Sequence, residues 1–182
     1  MSKPQDDWQS YIEAAQRKIS IAAYHEECLQ RELTSISRNQ WGLPPIPIQA
    51  HCEGVIVSVM AAVDQVAKAT KSALRLKLGE QDLVTGAFGS LAQTMPGVKS
   101  WFNEPIGRDL RRIRVRMIHH TYVKTRQGYR WAIESADTNF EGSRELLAYT
   151  KSAVRYGERL RELLPLIEDQ IAKRTSDGAT SN

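Results

Sequence analysis

The residues Trp8, Ile12, Ala15, Ile19, Ala22, Leu29, Leu33 and Ile36 follow one another at steps of four, three, four, three, seven, four and three. This is a single narrow apolar stripe on a helix of about 30 residues, close to the 3.5-residue period of helices that pack along their length. Glu26 occupies the position that the seven-residue step skips, and Asp6 or Asp7 is the candidate cap. A helix with one such stripe must lie against other helices to be stable, so the feature demands a bundle or a helical dimer.

The rest of the chain fits that demand. Pro44, Pro45 and Pro47 exclude helix over residues 38–47 and predict an extended connection. A second helix follows over 48–76, where Val55, Ile56, Val59, Met60, Val63 and Val66 with interspersed alanines mark it as the central one. Glu53 and Asp64 interrupt that surface. They lie on its solvent side or bond to neighbouring helices; alternatively, one of them pairs with arginines across the bundle. Glycines and prolines punctuate residues 77–105, which read as a loop with short helical pieces at 88–95 and 98–102. Pro105 suits the first turn of a third long helix. Residues 121–133 are rich in β-branched and aromatic side chains around Arg126-Gln127-Gly128, which predicts a short β-hairpin. A last helix over 143–174 carries Leu146, Leu147, Ala153, Val154, Leu160, Leu163, Leu164, Ile167 and Ile171 inward, with Pro165 expected to kink it. The expectation is an all-α fold: an antiparallel four- to five-helix bundle with a short β-hairpin after the third long helix. It forms one domain over residues 1–174, with a disordered tail at 175–182.

Charge is concentrated in one place. Residues 108–130 hold eight arginines and lysines against the single acid Asp109, a net +7 in a chain whose total is +4, so the remainder is net −3. The same stretch contains two adjacent histidines, His119 and His120. Its apolar positions Ile106, Leu110, Ile113 and Met117 step by four, three and four, and His120 continues that inward face. His119 points about 100° further round, toward Arg112 and Arg116. Cations interleaved with near-neutral imidazoles suit a polyanion whose phosphates are bound and whose protons are moved. No clustered carboxylates, Gly-rich phosphate loop or Ser/His/Asp arrangement competes with this stretch, and no cofactor is expected. The two cysteines, Cys28 and Cys52, lie in helical patterns with no CxxC or Cys/His ligand spacing, so free thiols and no metal site are expected. The first residues lack a basic-then-apolar leader, and no apolar run approaches the roughly 18 residues of a membrane span, so a cytoplasmic protein without a membrane partner is expected.

Long helices, a basic motif with histidine near the end of the third, and a closing fourth resemble the HEPN superfamily. The resemblance covers most of residues 6–174. Its signature is an arginine, four to six residues, then a histidine, often continued as His-x-Tyr. Arg114 to His119 leaves four intervening residues, Arg114 to His120 leaves five, and His120-Thr121-Tyr122 supplies the continuation. The hairpin after the motif and the segment QAHCEGVIVSVMAAVD at 49–64 are also similar to HEPN-like proteins of prokaryotic defence and toxin–antitoxin loci. Many HEPN nucleases carry a polar residue directly after the motif arginine; here Val115 stands there.

The resemblance implies metal-independent RNA cleavage by a toxin or defence effector acting as a homodimer. Arg114 and His119 lie about 140° apart on an ideal helix, so they converge only where the helix ends or where a second protomer completes the cleft. On this reading His120, with His119 as its rival, does the acid–base work. Arg114 and Arg116 stabilise the phosphorane-like charge, Tyr122 positions phosphate or base, and Arg112, Lys124 and Arg126 track the RNA backbone. A cognate antitoxin or a defence-system partner is a further expectation. The alternative is a non-catalytic HEPN-like module that binds RNA or a partner protein, and Val115 favours it.

Overall fold

The computed structural model describes residues 8–35, 46–119 and 143–179, with 35, 46, 114–119, 143–146 and 177–179 described by backbone alone. They form six α-helices: α1 (Trp8–Ser35), α2 (Ile46–Ala73), α3 (Leu83–Ala92), α4 (Pro96–Phe102), α5 (Pro105–His119) and α6 (Ser143–Ala179). The expected four- to five-helix bundle with a β-hairpin is therefore corrected. Among the described residues there are six helices and no strand; residues 121–133, where the hairpin was expected, lie outside them. The count rises because both short pieces of 77–105 are complete helices. Gly86 and Gly89 weigh against helix in α3, yet burial of Ala87, Phe88 and Leu91 overrides that preference.

The stripe of α1 lies where its period put it: Ile12, Ala15, Ile19, Ala22 and Leu29 are fully buried, with Trp8 and Leu33 packed at the ends. They meet α2, the central helix, which touches α1, α3, α5 and α6. By length and apolar composition α2 alone among the described helices could cross a membrane, and more than half of that stretch is buried inside the protein. It begins one residue before Pro47. The sequence reading excluded helix at this proline, but a first-turn position needs no backbone N–H, so Pro47 is tolerated there.

Contacts fix the directions. Ile19 and Val59 both approach Gly157, whereas His25 meets His51 and Gly54, so α1 and α2 are antiparallel. Gly107 faces Tyr156 and Asp109 faces Tyr149, so α5 and α6 are antiparallel too. At the end of α2 the chain leaves through a left-handed residue, Arg75 at φ 51°. The Leu76 N–H donates back to Lys71 O at 3.0 Å, which satisfies a carbonyl that the helix end would otherwise leave open. Lys71 Nζ then donates to Leu78 O at 2.7 Å, closing the turn toward α3.

α3 and α4 close one side of the bundle with aromatic rings. Phe88 stacks on Phe102 at 5.0 Å, and Trp101 stacks on Tyr156 of α6 at 4.4 Å. The indole N–H of Trp101 donates to Tyr156 O at 2.9 Å, so its one polar group is satisfied in the core. Arg174 ties α6 to the end of α3 through Ser90 and Thr94. α6 continues through Pro165 and beyond Arg174, into residues 175–179 where the sequence suggested a disordered tail.

Candidate nucleic-acid interface

α5 owes its placement to its inner face. Leu110 and Ile113 are buried and Ile106 packs beside them. At Gly107 the helix lies tight against α6: a Cβ there would lie 2.5 Å from the Tyr156 hydroxyl. That approach admits no side chain without displacing a ring.

The acid of the basic stretch is also inward. Asp109 is only 6% exposed. It faces the phenol of Tyr149 on α6, and Tyr149 in turn lies near the buried thiol of Cys52 on α2. Burial, then the Asp109 charge, pushes the Tyr149 phenol well above its ordinary value, so it stays neutral beside the carboxylate. Burial likewise pushes the Cys52 thiol up to about 12, and both cysteines are free.

The cations divide into two kinds. Arg111 is half-buried, its guanidinium 4.0 Å above the Phe102 ring. It donates to Phe102 O at 3.0 Å and reaches the Tyr156 hydroxyl at 3.5 Å. It serves the aromatic cluster, as a guanidinium on a ring commonly does, and drops out of the set available to a ligand. Arg108 and Arg112 are exposed on the outer side of the same helix.

Of the residues expected to form the site, Arg112 is thus on the outer face. Arg114, Arg116 and His119 occupy the last turns of α5. His120, Tyr122, Lys124 and Arg126 lie outside the described residues. What the structure brings together is the scaffold beneath the motif: Asp109, Leu110 and Ile113 against α2 and α6. It does not bring Glu53 to the arginines as their described partner, since Glu53 Oε1 accepts from Gln49 one turn earlier at 2.9 Å.

Sequence reasoning missed Asp109 and Tyr149. A signal for Asp109 existed: it precedes Leu110 and Ile113 by one and four positions, beside the inward stripe, as the lone acid among eight cations. No protein-family model, no curated protein and no solved structure matches this chain.

Proposed function

We propose that the chain is a HEPN-type, metal-independent endoribonuclease of the toxin or defence class, working as a homodimer. The supporting observation is on α5. One helix, locked into the core by Asp109, Leu110 and Ile113, carries Arg108 and Arg112 outward and ends at Arg114, Arg116 and His119.

The chemistry follows from these groups. The ribose 2′-hydroxyl attacks the adjacent phosphorus while a neutral imidazole takes its proton. The P–O5′ bond breaks as an imidazolium returns a proton to the leaving 5′-oxygen, leaving a 2′,3′-cyclic phosphate and a free 5′-hydroxyl. Guanidinium groups of Arg114 and Arg116 offset the charge that builds on the phosphoryl oxygens. His120, with His119 as rival, moves the protons; Tyr122, Arg112, Lys124 and Arg126 hold the substrate. A second protomer brings the arginine of one chain to the histidine of the other.

The test is incubation of the purified chain with RNA in EDTA. Cleavage is expected, and it should vanish in Arg114→Ala and in His120→Ala while helical circular dichroism persists. Undiminished cutting in these variants and in His119→Ala defeats the assignment. Val115 supports a second reading, a module that binds RNA or a partner without cutting; its signature is salt-sensitive RNA binding with no product at high protein concentration.

A further inference from the structure

His25 and His51 lie outside the basic stretch, and nothing proposed above uses them. His25 is on α1 and His51 is near the start of α2. Their Nδ1 atoms are 3.1 Å apart, with ring centroids separated by 5.4 Å and planes inclined at 49°. Both rings are half-buried, so an ion from solvent can reach the pair.

The backbone beside them is shaped for this approach. Gly54 lies one turn after His51, and a Cβ at that position would sit 2.7 Å from the His25 ring. Only a residue without a side chain lets the ring rest against α2 and turn its Nδ1 toward His51. Burial and the neighbouring imidazole hold the His25 pKa below its ordinary value, which leaves the ring neutral with a lone pair to share.

The spacing decides what the pair can hold. Imidazole nitrogens bind zinc at about 2.0–2.1 Å, which places two of them roughly 3.3 Å apart on a tetrahedral ion and roughly 2.9 Å apart on a square-planar one. The observed 3.1 Å lies between the two. We propose that His25 and His51 form a two-histidine site for a divalent transition-metal ion of the zinc or copper class, bridging α1 to α2 through both Nδ1 atoms. Among the described residues no group of three or more His, Cys, Asp or Glu side chains surrounds such an ion. Water therefore fills the remaining positions, and the ion is exchangeable. Without an ion, the same geometry is one N–H···N hydrogen bond. Binding replaces that bond with a clip between two long helices, and it raises stability by mass action.

The experiment is calorimetric titration of the full chain with ZnCl2 in a non-coordinating buffer. His119→Ala/His120→Ala serves as the parent, so the outcome is independent of the proposed ribonuclease site. One ion per chain is expected, with a thermal midpoint that rises with zinc. His25→Ala and His51→Ala should each weaken binding by at least about tenfold. Gly54→Ala should weaken it as well, although both imidazoles remain, because the added methyl displaces the His25 ring. A parent that takes up no zinc, or His51→Ala and Gly54→Ala chains that bind as the parent does, overturns the proposal. The pair is then a hydrogen bond only.

Discussion

Arg75 shows how one residue carries strain for an element. At φ 51° its Cβ crowds the carbonyl, yet the position is needed to turn the chain out of α2. Arg75→Gly relieves the strain, partly offset by the extra freedom glycine gives the unfolded chain. The net expectation is a gain of about 0.5–1 kcal/mol, read as a higher urea midpoint with unchanged slope; a lowered midpoint contradicts this account. The sequence did not reveal this site, because arginine is no turn former and the second helix was expected to run to residue 76. Nor did it reveal the roles of Arg111 and His25. A guanidinium counts as +1 wherever it lies, and only the position of Phe102 nine residues earlier turns this one inward. His25 and His51 are 26 positions apart, and their meeting depends on the register of α1 against α2, which no local pattern encodes.

At the scale of elements, α5 is the instructive helix. Its apolar steps were legible, and Leu110 and Ile113 are buried as the period required. The buried meeting of Asp109 with Tyr149 was not, because a carboxylate and a phenol read as surface groups when their neighbours are unknown. The same gap affected α6, where the apolar pattern captured Leu160, Leu164, Ile167 and Ile171 but passed over the buried Tyr149 and Tyr156. These tyrosines bury a ring and aim a hydroxyl at a neighbouring helix, a double character that a list of aliphatic positions cannot register. Asp109 and Tyr149 face each other between α5 and α6 in a buried setting, where interacting residues couple by about 0.5–3 kcal/mol. A double-mutant cycle of Asp109→Asn and Tyr149→Phe, read by chemical denaturation, should give a coupling of about 1–2 kcal/mol. Additive losses would show that the two groups act separately.

Across the whole molecule, charge and stability are distributed over different parts of the chain. The core is built from α1, α2 and α6 with α3 and α4 on one side, while a net +7 is gathered into residues 108–130 of a chain that is otherwise net −3. That asymmetry was fully visible in the sequence, and it gives this stretch a positive field of the kind that draws polyanions. Within α5, however, Arg111 belongs to the aromatic cluster, whereas Arg108 and Arg112 face outward. Replacing the outward pair tests whether that face meets RNA. For single-stranded RNA, each neutralised phosphate contributes about 0.7 to the slope of log affinity against log salt. Arg108→Gln with Arg112→Gln is expected to lower that slope by about 1.4. Arg111→Gln should do the reverse: it loosens the packing of Phe102 and Tyr156, lowering the midpoint, while the salt slope stays as it was. Filter-binding titrations from low to high salt, paired with thermal melts of the same proteins, separate the two effects. An unchanged slope in the double variant would show that RNA does not engage the outer face of this helix, whatever its charge.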